Sequence, residues 1–133
     1  REYGRLYIWQ AAKDACKRLG PRCRLPTDDE WRVLAMKFGG YYDWPASKAV
    51  GDPQKSYKAL LEGGSSGFSA LLGGWLNADG SFFYLLDDYG YYWSATEGGS
   101  GYAWVYNFNS NYGVLSRLGD DKGLGLSCRC VQD

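Results

Sequence analysis

The residues best equipped for chemistry in this 133-residue chain are four cysteines, Cys16, Cys23, Cys128 and Cys130, two near each end. Cys128 and Cys130 stand two residues apart, so in a strand both sulfurs point to one face and a bond between them is badly strained. They are expected to reach across to Cys16 and Cys23, with the choice of partner open; the alternative is four reduced, buried thiols of a cytosolic protein. A bridge closing a loop of about 100 residues contributes on the order of 4 to 5 kcal/mol in the chain-entropy model. Zinc fits poorly, because C-x6-C with C-x-C is not a knuckle spacing and the chain has no histidine to complete a site.

The missing histidine also removes Ser-His-Asp and Cys-His catalysis and the usual general base near neutral pH. Asp28, Asp29 and Glu30 follow Thr27 at the head of an apolar run, where helix capping and favourable N-terminal charge explain them better than acid/base catalysis. Asn77, Asp79, Asp87 and Asp88 could gather oxygen ligands for calcium, yet Asn-x-Asp-Gly is first a turn signal and Asp87-Asp88 a solvated corner. No metal, cofactor or catalytic residue is therefore assigned, and the chain is expected not to be an enzyme.

Charge narrows the partners. Fifteen Lys and Arg balance fifteen Asp and Glu, and no basic run exceeds two residues, so neither nucleic acid nor an anionic membrane is an expected partner. No apolar stretch approaches the roughly 18 residues of a bilayer span, which argues against direct membrane insertion, and Arg1 to Gly4 lack a signal-peptide hydrophobic region. Nineteen glycines with 23 aromatic residues imply many tight turns joined to large amphipathic surfaces, a pairing that suits a β-rich binding scaffold.

The elements that must position these residues follow from periodicity. Leu6, Trp9, Ala12, Cys16 and Leu19 form one stripe, predicting a helix over 6–19 that Gly20-Pro21 ends. A second helix opens at the capping box Thr27 to Glu30, buries Trp31, Leu34, Ala35 and Phe38, and stops at Gly39-Gly40. Residues 41–67 break into short pieces, with a brief helix over 55–62. Strands are expected at 68–72, 73–75, 81–86, 90–94, 103–108, 114–118 and 125–131, with turns at 77–80 and 109–113 and a loop at 119–122. Helices first and an antiparallel sheet afterwards make one α+β domain over 1–133.

Several strings line up in order: YGRLYIW at 3–9, Ala15-Cys16, RLPTDDEW at 24–31, SSGFSAL at 65–71, Gly73-Gly74, DGSF at 79–82, GYYWSATE at 90–97 and LSCRCV at 126–131. Together they resemble the Fibrobacter succinogenes major paralogous domain family, a branch of the C-type-lectin fold related to formylglycine-generating enzymes. The resemblance implies a lectin-like fold with a Cys16–Cys130 bridge from helix to last strand. Where the family commonly has Trp and Val, this chain has Cys23 and Cys128, and the matched pair implies a second bridge, Cys23–Cys128.

Within that family the stretch from about 91 to 130 looks like the variable region of a diversity-generating retroelement target protein, rewritten at adenines and chiefly at Asn codons. Changing adenines in an Asn codon cannot yield Lys, Glu, Gln, Met or Trp. Those five types fill 18 of residues 1–97 but only Trp104 and Lys122 in 98–130, a deficit that fits the resemblance and equally suits a Gly- and Asn-rich hairpin. The resemblance places Tyr91, Tyr102, Val105, Tyr112, Ser116, Leu118, Gly119, Asp120 and Leu124 at diversified, solvent-facing positions and makes Trp93, Trp104, Phe108, Leu126 and Cys130 fixed framework. Tyrosines on a rigid sheet supply broad contact area at little entropic cost, as in antibody paratopes.

The implied function is a non-catalytic display domain, extracellular or on a cell or phage surface, that recognises a protein or glycan on another cell or host. Its oligomeric state is left open. A non-diversified adhesion or structural module is the first alternative; a formylglycine-generating type of oxidase, with Cys128 and Cys130 as its reactive pair, is the second.

Overall fold

The computed structural model describes residues 5–61, 63–79 and 88–133. Among them run α1 (Trp9–Leu19), β1 (Cys23–Arg24), α2 (Asp28–Phe38), β2 (Gly40–Asp43), β3 (Lys48–Gly51), α3 (Pro53–Leu60), β4 (Tyr89–Glu97), β5 (Tyr102–Asn109), β6 (Val114–Asp121) and β7 (Val131–Gln132). Five strands form one sheet in the order β3-β2-β6-β5-β4, and β1 pairs with β7 separately. The class is α+β. The sheet is mixed rather than wholly antiparallel, because β2 lies parallel to β6 with Tyr42 opposite Ser116.

Local chemistry accounts for most boundaries. Thr27 Oγ1 accepts from the Glu30 amide and Glu30 Oε1 accepts from the Thr27 amide, at 3.1 and 2.8 Å, closing the capping box that opens α2. Arg24 grips the same Glu30 carboxylate and, with the Thr27 amide, holds its pKa down at about 2. α1 starts at Trp9 rather than Leu6, since Tyr7 is drawn out of the helix into a two-bond bridge with Leu126; Leu19, in the last turn, faces solvent and not the core. α3 starts at Pro53 because Asp52 caps the Gln54 and Lys55 amides.

Three differences from the periodicity matter. Residues 40–51 form a β2–β3 hairpin, entered so tightly that a Cβ on Gly40 would stand 2.1 Å from the Val50 carbonyl oxygen. The expected strands at 68–72, 73–75 and 125–131 shrink to single bridges at Ala70, Gly74 and Gly125 to Ser127, plus β7. β6 runs through the expected loop at 119–122 as far as Asp121. The strand predicted at 81–86, Gly80 and Asp87 lie outside the described residues.

The middle of the sheet is buried on both sides. Against one face α2 and α3 pack Trp31, Ala35, Tyr57 and Leu60 onto Tyr92, Tyr106, Phe108 and Leu115; Trp31 stacks on Tyr106 at 5.1 Å. Against the other, α1 and the 124–130 segment pack Trp9, Ala12, Cys16 and Leu126 onto Tyr91, Trp93, Ala103 and Val105. A strand covered on both faces has no wet side, so alternation along β4 and β5 sorts residues between two cores instead of between core and solvent. Tyr91, Val105 and Ser116, expected at the surface, are 6%, 0% and 2% exposed for this reason.

Candidate functional site

Arg117 on β6 is the group around which one end of the sheet is organised. Its Nε and Nη2 donate to Asp28 Oδ1 and Oδ2 at 3.0 and 2.9 Å, and Nη1 donates to Asp43 Oδ1 at 2.9 Å. The Tyr106 hydroxyl donates to the same Asp28 carboxylate at 2.7 Å. Burial alone would lower the Arg117 pKa, but Asp28 and Asp43 hold it above its ordinary value; burial, then Asp28, push the Tyr106 hydroxyl up. Asp28 thus ties α2 to β5 and β6, and its place in the first turn of α2 puts it beside the helix N-terminus that favours a carboxylate.

The free face of this guanidinium carries Trp104, whose ring centre lies 3.9 Å from the Arg117 Cζ. Tyr102 stands edge-on to Trp104, with centroids 5.6 Å apart at 87°. Room for the Tyr102 ring depends on glycine: a Cβ on Gly119 would fall 2.6 Å from it. Tyr102, Trp104, Gly101, Gly119, Asp121 and Pro45 line an open concavity of about 580 Å³. Chemically it offers two aromatic rings at right angles, a carboxylate and bare glycine backbone, which is equipment for holding a ligand.

On the opposite face of β6, Asp120 is partly buried and its Oδ2 has no hydrogen-bond partner among the described residues. Burial, then the charge of Asp121, push its pKa up from 3.8 to about 6, and burial followed by the Asp120 charge pushes the Tyr91 hydroxyl up as well. A carboxyl that folding makes harder to ionise favours the folded state fully below pH 4 and loses that contribution as pH rises through about 6. Asp120→Asn is therefore expected to raise stability at pH 7.5 by about 1 to 3 kcal/mol and to leave it nearly unchanged at pH 4. Urea unfolding at the two pH values checks this; an equal effect at both would dissociate it from ionisation.

The sequence model of the Fibrobacter succinogenes major domain matches residues 1–132. The chain belongs to that family. No curated protein and no solved structure matches it. In this member of the Fibrobacter succinogenes major domain family, the nine residues expected to face a ligand do not form one surface. Tyr102 and Gly119 line the groove. Tyr112 is 68% exposed, but sits on the β5–β6 turn at the other end of the strands. Leu118 and Asp120 are half-buried, Leu124 packs on the core around Trp93, and Tyr91, Val105 and Ser116 are interior.

Trp104, expected as fixed interior framework, is half-buried and shapes the groove; Asp121, Pro45 and Gly101 were not anticipated there at all. A signal for Trp104 existed. Residues 102 and 104 share a face of any strand, so an outward Tyr102 carries Trp104 with it and turns Val105 inward. Exposed Trp44, which extends β2 by one bond from its amide to the Arg117 carbonyl, packs edge-on against Tyr42; both occupy the Ser116 face by register, away from the groove.

Of the two implied bridges the first is present and the second is not. Cys16 and Cys130 are bridged, with Cα atoms 5.5 Å apart, whereas Cys23 and Cys128 are free thiols. Register separates the second pair: Cys23 lies opposite Gln132, four residues beyond Cys128, or roughly 13 Å along an extended chain. Of the calcium candidates, Asn77, Asp79 and Asp88 are described; the sulfurs that gather among the described residues are those of Cys16, Cys128 and Cys130, two of them already bonded to each other. No helix among the described residues is long and apolar enough to cross a membrane.

Proposed function

We propose that this domain binds a protein or glycan ligand without transforming it, using the groove between Tyr102, Trp104, Gly119 and Asp121 at the open end of β5 and β6. The observation that carries the reading is the fixed Trp104 ring, backed by Arg117 at 3.9 Å and flanked by Tyr102 in an open concavity. Large aromatic side chains held rigid at the surface are the groups that dominate binding energy at interfaces. A lectin-like version of the α+β fold is supported by the Cys16–Cys130 tie between α1 and the C-terminal segment and by two helices packed against the sheet. The setting that suits such a domain is an extracellular, cell or phage surface, where a disulfide persists.

The diversification reading narrows to groove positions, with Tyr102 and Gly119, which share one space and so would vary together, as candidates for variation and the buried Tyr91, Val105 and Ser116 as framework. Its support is the shortage of Lys, Glu, Gln, Met and Trp after residue 97. It is tested in the flanking DNA, where a template repeat of the segment encoding 91–130 should differ chiefly at adenines and lie beside a reverse-transcriptase gene; a locus with neither leaves a fixed adhesion module.

Binding itself is tested on immobilised glycan and surface-protein panels. For whatever ligand the wild-type domain captures, Tyr102→Ala is expected to weaken binding by about 1 to 2 kcal/mol and Trp104→Ala by about 2 kcal/mol or more. Tyr112→Ala, remote from the groove, should leave affinity unchanged. Wild-type affinity in both groove variants would place the ligand elsewhere.

A further inference from the structure

The Sγ atoms of Cys16, Cys128 and Cys130 all lie within 4.8 Å of one another, yet only Cys16 and Cys130 are bonded. A free thiol is thus stored beside a disulfide. We propose that Cys128 is an exchange partner of this bridge, able to take Cys16 from Cys130 and give a second, Cys16–Cys128 form of the domain.

Both candidate partners lie within reach of Cys16. Arg129, between them, is turned away and fixed, with its guanidinium donating to the Phe68 and Ser69 carbonyls at 2.7 Å each and lying over the Phe68 ring. Alternation then directs Cys128 and Cys130 to one side, the side on which α1 presents Cys16. Ser127 is anchored to β4 through hydrogen bonds with Trp93 and Tyr91, so Cys128 is one residue from a fixed point, with its Sγ within 4.8 Å of the Cys16 Sγ. A cavity of about 310 Å³, lined among others by Tyr7, Ser127, Cys128 and Cys130, adjoins the two candidate partners and leaves space for side-chain movement and for water.

The step is balanced without any outside oxidant. The Cys128 thiol loses its proton to water and the thiolate attacks Cys16 Sγ; the Cys16–Cys130 bond breaks as the Cys16–Cys128 bond forms, and Cys130 leaves as a thiolate that is reprotonated by water. One disulfide and one thiol exist before and after. Burial pushes the Cys128 thiol up and keeps it mostly protonated, which makes exchange slow without preventing it.

The two forms differ in what they hold. A bridge at Cys130 staples residues 130–133 to α1 and with them the β7 pairing and the 2.7 Å ion pair of Arg24 with Asp133. A bridge at Cys128 stops the staple beside Ser127, which β4 already holds, and releases that end.

The test is disulfide mapping of the full chain. Wild type, Cys130→Ser and Cys128→Ser are equilibrated with oxidised and reduced glutathione, quenched in acid, alkylated and digested. Glutathione disulfide supplies the oxidation in this assay, two thiols becoming one bridge as it becomes two thiols. Cys130→Ser is expected to carry Cys16–Cys128 as its main bridge, Cys128→Ser to carry Cys16–Cys130, and wild type to yield a detectable Cys16–Cys128 peptide with labelled Cys130. Cys130→Ser with a native near-ultraviolet circular dichroism spectrum but Cys16 left reduced, or joined to Cys23, overturns the proposal. Should that variant not fold, the wild-type digest decides alone, and absence of the Cys16–Cys128 peptide overturns it equally.

Discussion

Cys16→Ala is expected to lower unfolding free energy by about 4 to 5 kcal/mol, the value the chain-entropy model assigns to a bridge of this span. Cys16 and Cys130 are 114 residues apart, so nearly the whole chain lies inside the loop that the bridge closes. Cross-linking so long a loop removes many conformations from the unfolded ensemble, and losing it restores them all. Small domains have total stabilities of about 5 to 15 kcal/mol, so this one replacement takes a large part of the margin. Because Cys16 is wholly buried, the missing sulfur also leaves a small void between α1 and the β4–β5 face. Cys23→Ala is the control; its thiol is free and half-buried, and a loss below about 1 kcal/mol is expected. Urea unfolding monitored by circular dichroism measures both, and reduced wild type should match Cys16→Ala. Indistinguishable midpoints for the two variants would show that the bridge contributes little beyond local packing.

How much of this was legible depended on how local each determinant is. α2 and its cap could be read residue by residue, because Thr27, Glu30 and the apolar stripe act within four positions of one another. The turn at 109–113 was equally readable: Asn109 Oδ1 accepts the Asn111 and Tyr112 amides, and Gly113 supplies the positive φ. The start of α1 was not, since Leu126, from the far end of the chain, removes Tyr7 from the helix. Nor was the β2–β3 hairpin, whose turn puts Ser47 at φ 53°, a conformation that glycine announces and serine does not. The exposure of the site positions was hidden for a different reason. Resemblance carries positions over one at a time without strand parity, so it puts Tyr102 and Val105 both outward although they project from opposite faces. Two-sided burial of β4 and β5 then decided which was wrong, and that burial comes from α1 and residues 124–130 folding over the sheet, information carried by long-range contacts alone.

Arg117→Ala joins stability and site in one replacement, and about 3 to 5 kcal/mol of destabilisation is expected, the cost of stripping one partner from a buried ion pair. The Arg117 and Asp28 side chains are only 9% and 7% exposed. Without the guanidinium, the Asp28 carboxylate retains the half-exposed Arg32 at 3.1 Å and the Tyr106 hydroxyl, too little to replace two direct charge-assisted bonds in a site closed to water. Asp43→Asn should cost less, about 1 to 2 kcal/mol, because that carboxylate is 18% exposed and meets Arg117 through a single bond. The double variant Asp28→Asn with Arg117→Met removes both charges while keeping side-chain volume, and its loss is expected to fall short of the summed single losses by about 1 to 3 kcal/mol. Additivity instead would mean that the pair stabilises nothing jointly. Arg117→Met alone separates the second role. An unbranched thioether can fill the space under Trp104 but offers no planar cation, so any ligand captured in the groove should bind more weakly to this variant even at temperatures where it is fully folded. Binding equal to wild type under those conditions would confine Arg117 to the fold and leave the orientation of Trp104 to Tyr102 and the backbone of β5.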